Sequence, residues 1–217
     1  MKVVVVASGR LEAIDLAHLE DADLVVAADG GAESLDALGR RPDLLVGDLD
    51  SVSRALAERL ETAGTRVERH PSDKERSDTD LALEAAVGRR ATEIVLLGAI
   101  GGDRLDHELA NLLLLADPGM GGRDVRIASG PSVVRVLRGG ERLPLVGSVG
   151  DLVSLLPIGG DASGVSTTGL RWSLERADLG LGRSRGLSNE IAVPPASVSL
   201  EHGTLLVVET ALEGAAP

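Results

Sequence analysis

Asp48 and Asp50 lie in the stretch Gly47–Ser51, which follows an apolar run and precedes a helical one. The run 44–46 predicts a buried strand and the segment 53–63 predicts a helix, so both carboxylates fall on a strand-to-helix turn. Side chains two residues apart in a strand point the same way, so both carboxylates face one point if the strand geometry continues. Paired carboxylates suit a hard cation such as Mg²⁺. Taken alone, so short a motif is more typical of a solvated turn that caps the next helix.

Three further polar turns follow predicted strands in the first half of the chain. Asp29 and Gly30 follow one strand, the segment 74–80 follows a weak edge strand, and the glycine-rich loop 101–107 follows another. Continuous apolar strands that alternate with helices predict a parallel sheet with helices on both faces. The loops at the carboxyl ends of such strands share one edge, where ligands bind. We therefore expect the four turns to form one site.

These turns carry the residue types that a Mg²⁺–nucleotide phosphate site requires. Asp78 shares a helical stripe with apolar residues three and four positions on and should face the site, whereas Asp80 should only complement the helix dipole. Glycines let the backbone approach phosphate oxygens, and Lys74 and Arg104 can neutralise their charge. The predicted metal ligands are Asp48, Asp50 and Asp78, which with Arg104 and Asp106 form the predicted catalytic set; the predicted nucleotide-binding residues are Asp29, Gly30, Lys74, Gly102 and Arg104.

Structural alternatives stay open for several of these residues. Asp78 could serve only the helix dipole, Asp106 could be only a helix N-cap, and Arg104 could be only a surface ion-pair partner. His107 and Asn111 lie one helical turn apart and could hydrogen-bond to each other, so both are left out of the predicted site.

Composition narrows the class of protein. The 217 residues are 43% hydrophobic, contain no Cys and carry a net charge of −12. We therefore expect a packed globular protein with an oxygen-bound metal and no nucleic-acid partner. No apolar run has the length of a membrane span, and no signal-peptide pattern is present, so we expect a cytoplasmic protein without a membrane partner. Neither a Walker-type phosphate loop nor a G-x-G-x-x-G motif occurs.

The sequence pattern changes near Gly122. Short β-type runs, separated by Gly, Pro and Ser, replace the alternation of strands and helices. This pattern predicts an α/β domain over 1–122 and a small all-β sandwich or barrel over 123–217. Trp172 is the only aromatic residue of the chain. The predicted strands of the second domain are 125–128, 133–137, 152–156, 165–168, 191–193, 198–200 and 205–208.

Six motifs follow one another along nearly the whole chain. They are Asp29-Gly30-Gly31, Gly47-Asp48-Leu49-Asp50-Ser51, Lys74-Glu75-Arg76-Ser77-Asp78, Gly101 to His107 with Leu109-Ala110-Asn111, Gly169-Leu170-Arg171-Trp172 and Gly186-Leu187-Ser188-Asn189-Glu190. Taken together and in order, they resemble the motifs of the thiamine pyrophosphokinase family. The resemblance implies an enzyme that transfers a pyrophosphoryl group from ATP to the hydroxyl of thiamine, giving thiamine diphosphate and AMP. It also implies a homodimer whose β domain binds thiamine near the subunit interface.

The resemblance assigns Trp172, Ser188 and Asn189 to thiamine binding. The indole of Trp172 could stack on the aminopyrimidine of thiamine and attract its cationic thiazolium. The chain departs from the usual family motifs at Glu75, where Asp is common, at Ser77, where Thr is common, and by an extra Asp103 in the glycine loop.

Two alternatives remain at this point. Another Mg²⁺-dependent diphosphokinase, acting on an alcohol such as a pterin, would keep the first domain but would gain nothing from Trp172 and Ser188. A non-catalytic nucleotide-sensing module would bind ATP, although several convergent carboxylates exceed what binding requires.

Overall fold

The computed structural model describes residues 1–212, and the chain divides into two compact units between Gly130 and Pro131. In the first unit, the strands are β1 (Lys2–Val6), β2 (Leu24–Ala28), β3 (Leu44–Gly47), β4 (Arg66–Arg69), β5 (Glu93–Leu97) and β6 (Asp124–Ser129). The helices are α1 (Ala17–Glu20), α2 (Gly31–Ala37), α3 (Arg54–Thr62), α4 (Asp78–Gly88) and α5 (Leu105–Leu114), with 3₁₀ turns at Ala13–Leu16 and Pro118–Met120.

The six strands of the fully described residues 1–130 form a parallel sheet in the order β6-β5-β1-β2-β3-β4. Their β-branched and leucine side chains favour this arrangement because a strand covered on both faces can be apolar throughout. The chain runs from β1 outward to β4 and then returns to β5 on the other side of β1. The strand order therefore reverses between β1 and β5, which is where ligands bind in open α/β sheets.

Helices cover both faces of this sheet. On one face, Val4 and Val6 of β1 pack with Leu35 of α2 and Leu60 of α3 in one hydrophobic cluster. Helix α4 packs against β1, β2 and β3, and its buried Leu83 lies outside that cluster. This arrangement confirms the predicted parallel α/β domain.

The second unit contains β7 (Ser132–Arg138), β8 (Arg142–Pro144), β9 (Leu152–Pro157), β10 (Ala162–Thr168), β11 (Ala177–Leu179), β12 (Asn189–Glu190), β13 (Ser197–Ser199) and β14 (Thr204–Thr210). Within residues 131–212 they form two antiparallel four-strand groups, β12-β9-β14-β7 and β11-β10-β13-β8. Side chains from both groups share one core, which includes Leu155, Val165, Val198 and Leu205. The predicted small all-β domain is confirmed.

One predicted domain boundary and one predicted strand differ from the structure. The sequence places the domain boundary near Gly122, but Asp124–Ser129 pairs in parallel with β5 and so belongs to the first unit. A strand was also predicted over 191–193, whereas Ile191 forms only an isolated bridge with Leu170. Among the described residues, no helix is both long enough and apolar enough to cross a bilayer.

Candidate active site

The carboxyl ends of β1, β2, β3 and β5 surround a cavity of about 410 Å³, which lies in the usual size range of small-molecule sites. Its walls are the loops that follow these strands and the first turns of α4 and α5. The sheet therefore brings together the polar turns that the sequence singled out. The predicted site residues that line the cavity are Asp29, Asp50, Asp78, Gly102 and Arg104.

Three carboxylates meet beside this cavity. Asp29 follows β2, Asp48 follows β3 and Asp78 begins α4, and one oxygen of each lies within 4.8 Å of the others. Hydrogen bonding between the neighbouring strands sets this geometry, since the backbone N–H of Asp29 donates to the carbonyl of Val46 at 2.9 Å. Carboxylates so close together repel one another unless a cation lies among them.

The state of the carboxylate oxygens tests whether a metal fits. Among the described residues, Oδ1 of Asp29 and Oδ1 of Asp78 are buried and make no hydrogen bond. Burial, and then the nearby charges of Asp78 and Asp50, raise the pKa of Asp29 above its usual value. Buried oxygens without donors are the groups that a hard cation satisfies, so the residues present fit Mg²⁺.

Gly47 makes room for this cluster. A Cβ at that position would lie 3.0 Å from Oδ1 of Asp78 and 3.1 Å from Cβ of Asp29. Its φ of +151° also lies in the region that side chains disfavour. A larger residue would therefore push apart the two carboxylates.

Lys74 neutralises part of the cluster. Its Nζ lies 3.0 Å from Oδ2 of Asp48 and 3.1 Å from Oδ1 of Asp78, and only the contact with Asp48 has hydrogen-bond geometry. The hydrogen bond from Lys74 is the main cause that lowers the pKa of Asp48. Burial acts to lower the pKa of Lys74, but its two carboxylate partners outweigh burial and raise it.

Asp50 does not join the three carboxylates. It lines the cavity, and its Oδ1 accepts a hydrogen bond from Oγ of Ser51 at 2.9 Å. The cause is local backbone geometry: Leu49 has a φ of +63°, so the alternation of an extended strand ends before Asp50. The structure thus assembles Asp29 with Asp48 and Asp78, and a cation contact of Asp50 stays a prediction.

Arg104 and Asp106 form an exposed ion pair at the start of α5. The guanidinium donates to the carboxylate at 2.9 Å and 2.5 Å, and both side chains are about two-thirds exposed (67% and 65%). The hydrogen bonds from Arg104 lower the pKa of Asp106 to about 2. Arg104 lines the cavity, and Asp106 holds its guanidinium. Their roles toward a nucleotide remain predictions.

The glycine loop before α5 is held by a residue that the sequence did not indicate. The backbone N–H groups of Gly101 and Gly102 both donate to Oε1 of Glu108 at 2.9 Å. Asn111, also left out of the predicted site, is buried, lines the cavity and donates to the carbonyl of Ala99 at 2.9 Å. His107 lines the cavity as well. A carboxylate in the first helical turn after a Gly-Gly pair was the available signal for Glu108.

The first turn of α4 carries two acidic residues with different partners, Asp78 and Asp80. Oγ of Ser77 accepts a hydrogen bond from the N–H of Asp80, an N-cap that the more usual Thr would also provide. The carboxylate of Asp80 pairs with Arg76 at 3.0 Å, whereas Asp78 belongs to the cluster. Gly30 directly precedes α2, and a Cβ there would lie 2.9 Å from Oγ of Ser8.

In the second unit, the indole of Trp172 is held at the surface. The side chain of Asn189 clamps its main chain, accepting from the N–H of Trp172 at 3.1 Å and donating to its carbonyl at 2.7 Å. Trp172 is 56% exposed, and the guanidinium of Arg171 lies 5.1 Å from the ring centroid. Trp172 is therefore not a core residue of this unit.

Ser188 directly precedes the strand β12 and Asn189 is its first residue, and the two side chains lie in different surroundings. Ser188 is exposed with a φ of +56°, and its N–H donates to Oγ of Ser154 at 3.1 Å. Asn189 is buried, with its amide engaged by the main chain of Trp172. Asn189 thus positions Trp172, and direct contact of either residue with thiamine remains a prediction.

Two family models match the chain in order. Residues 16–127 match the thiamin pyrophosphokinase catalytic domain, and residues 142–205 match the thiamin pyrophosphokinase vitamin B1 binding domain. The first match alone spans more than half of the chain. The chain belongs to the thiamin pyrophosphokinase family.

Individual relatives agree with this family. The chain is 26% identical over 193 residues to thiamine pyrophosphokinase of Bacillus subtilis, covering 89% of this chain and 90% of the relative. It is 28% identical over 216 residues to thiamine pyrophosphokinase 1 of Arabidopsis thaliana, and this match covers 87% of this chain and 79% of the relative.

Solved structures of family members have the same fold. The thiamine pyrophosphokinase structure from Bacillus subtilis gives a TM-score of 0.84 at 25% identity, covering 98% of this chain and 100% of that one. The thiamin pyrophosphokinase structure from Geobacillus thermodenitrificans gives a TM-score of 0.81 at 26% identity, and the match covers 100% of both chains. The predicted family and fold class are confirmed, and nothing in these matches favours a pterin-specific enzyme or a non-catalytic sensor.

Proposed function

We propose that this protein transfers the pyrophosphoryl group of ATP to the hydroxyl of thiamine, giving thiamine diphosphate and AMP. The observation that carries the proposal is the ordered match of a catalytic and a vitamin B1 binding domain. The convergence of Asp29, Asp48 and Asp78 at the strand ends of the catalytic domain supports it. The thiamine oxygen forms a bond to the β-phosphorus while the bond from that phosphorus to the oxygen of AMP breaks, and the hydroxyl loses its proton.

The catalytic unit holds the groups that such a transfer requires. Asp29, Asp48 and Asp78 would hold Mg²⁺, which when bound neutralises charge on the triphosphate. Lys74 and Arg104 supply cationic donors for phosphate oxygens. The cavity also carries Gly102, in the loop held by Glu108, where no side chain separates the backbone from a ligand.

The second unit offers a surface for the aromatic substrate. Thiamine carries a permanently cationic thiazolium and a flat aminopyrimidine, and an indole face attracts both by stacking and cation–π interaction. Trp172 presents such a face because Asn189 fixes its backbone. Ser188, beside it, supplies a hydroxyl for a polar contact.

We infer that the protein works as a cytoplasmic homodimer. The family resemblance supports a dimer, and so do Leu105, Leu109 and Leu113, which lie four residues apart on α5 and are more than half exposed. Light scattering after gel filtration should give twice the mass of one chain. A monomer with full activity would overturn the dimer without touching the reaction.

Product analysis tests the proposed reaction. We expect the purified protein with Mg·ATP and thiamine to release AMP and thiamine diphosphate in equal amounts. A hydroxymethylpterin offered in place of thiamine should give no AMP above background. Pyrophosphoryl transfer to the pterin would establish the alternative diphosphokinase, and ATP binding without AMP release for any alcohol would establish a sensor.

A further inference from the structure

Lys74 contacts two of the three carboxylates that would hold a metal ion. Its ammonium nitrogen lies 3.0 Å from an oxygen of Asp48 and 3.1 Å from an oxygen of Asp78, and its side chain is 14% exposed. Both carboxylates belong to the set that converges with Asp29. The buried Oδ1 of Asp29, which has no hydrogen-bond partner, is the independent sign that this set receives a further ligand.

An ammonium and a divalent cation exclude each other here. Mg²⁺ binds carboxylate oxygens at about 2.0–2.1 Å, so the oxygens of Asp48 and Asp78 would have to converge on the volume beside Nζ of Lys74. A dication at that point would also repel the ammonium. Metal binding therefore requires Lys74 to leave.

The chain around Lys74 lets its side chain move. The residue lies in the turn between β4 and α4, outside any helix or strand, and among the described residues rotation of its side chain breaks only its contacts with Asp48 and Asp78. A lysine has a flexible stem with three rotatable donors, and its charge needs a new anionic partner once it leaves the carboxylates. Phosphate oxygens of ATP at the neighbouring cavity are such a partner.

We propose that Lys74 closes the carboxylate cluster to metal ions until the phosphates of ATP draw its ammonium away, so that nucleotide and metal bind cooperatively. The nucleotide half of this inference rests on the proposed function. Coupling of this kind is reciprocal: each ligand raises the affinity for the other by the same factor. Free metal alone should bind the native protein weakly.

Metal binding without nucleotide or thiamine tests this role. Mn²⁺ serves as the probe, and its free concentration is followed by electron paramagnetic resonance. We expect Lys74→Met to bind Mn²⁺ at least tenfold more tightly than the native protein, and Lys74→Arg, which keeps the charge, to stay near the native value. Arg76→Met is the matched control, because it removes one charge from the same loop but pairs with Asp80 and Glu84.

Either of two outcomes would overturn the inference. In the first, Lys74→Met binds Mn²⁺ no more tightly than the native protein. In the second, Arg76→Met gains as much Mn²⁺ affinity as Lys74→Met. Circular dichroism checks the fold, and Lys74→Gln replaces Lys74→Met if the latter does not fold. If the native protein forms no thiamine diphosphate while Lys74→Met gains Mn²⁺ affinity, the proposed function fails and the counter-ion role of Lys74 stands.

Discussion

Each unit of the molecule places a side-chain cation where a ligand cation is expected, but the two settings differ. In the first unit, Lys74 lies between two carboxylates at about 3 Å and is 14% exposed. In the second, Arg171 lies 5.1 Å from the ring centroid of Trp172, with its side chain 59% exposed. The first contact is a partly buried ion pair, and the second is a solvated cation–π contact.

Because the two settings differ, the bound side-chain cation should be displaced in a different way at each site. Charges that are little exposed interact strongly, so Lys74 should leave only when another anion receives it. Exposed cation–π contacts contribute only about 0.5–1 kcal/mol, so a thiazolium can displace Arg171 directly. The first site should therefore depend on charge and the second on shape and aromatic surface.

The greatest loss of activity is expected from a change in the carboxylate cluster of Asp29, Asp48 and Asp78. Asp78→Asn should lower kcat/KM for Mg·ATP by at least about a hundredfold, because it removes a proposed metal ligand and even supporting residues of metal sites contribute about 10–100-fold. Steady-state kinetics at limiting Mg²⁺ would measure this. Asp80→Asn, in the same helical turn but paired with Arg76, is the matched control and should keep most activity. Near-normal turnover of Asp78→Asn would remove Asp78 from the metal site.

A smaller effect is expected at the aromatic surface. Trp172→Ala should weaken thiamine binding by roughly tenfold, which corresponds to about 1.4 kcal/mol, and should leave ATP binding unchanged. Because Trp172 is the only tryptophan, its fluorescence should respond to thiamine and saturate. Loss of thermal stability with unchanged thiamine affinity would instead make Trp172 a packing residue.

A third prediction concerns stability against pH without metal. Folding raises the pKa of Asp29. At a pH above the folded-state pKa, the ionised carboxylate therefore lowers the free energy of unfolding. This destabilisation decreases as the pH falls, and it is absent below the pKa that Asp29 has in the unfolded chain. Asp29→Asn removes this charge, and Asn tolerates the φ of +43° at this position. In chelator, the variant should melt a few degrees higher at neutral pH, and the gain should vanish in acid. A lower melting temperature at every pH would contradict this account.

The smallest effect is expected from Arg171. Replacing it with Gln removes the cation that competes for the indole face, so thiamine affinity should rise by roughly two- to fivefold, as a contact of about 0.5–1 kcal/mol allows. Calorimetric titration with thiamine would measure the change. A fall in affinity would mean that Arg171 supports the ring rather than competing for it.

The sequence predicts much of this arrangement because strand ends are readable from apolar runs. The alternation of strands and helices predicts that Asp48 and Asp78 lie at the open edge of the sheet, and both lie there in the structure. The sequence predicts a nucleotide-binding role for Asp29 and not its place in the cluster, because its approach to Asp48 depends on the pairing of Ala28 with Val46, which no local pattern reveals.

Other features depended on geometry that residue types do not specify. The positive φ of Leu49 turns Asp50 away from the cluster, and leucine gives no signal of such a conformation. The strand Asp124–Ser129 was predicted as a strand, but only tertiary pairing with β5 assigns it to the first unit. The carboxylate of Glu108 accepts hydrogen bonds from the N–H groups of Gly101 and Gly102, and these bonds form only when the loop is folded.

The proposed reaction moves two phosphoryl units together in one displacement. ATP labelled at both the β- and γ-phosphorus, mixed with Mg²⁺ and thiamine, tests it directly when the products are separated by chromatography. We expect thiamine diphosphate that carries both labels, an equal amount of unlabelled AMP, and no ADP. Labelled ADP, with thiamine monophosphate that carries only the γ label, would show single phosphoryl transfer and contradict the proposed reaction.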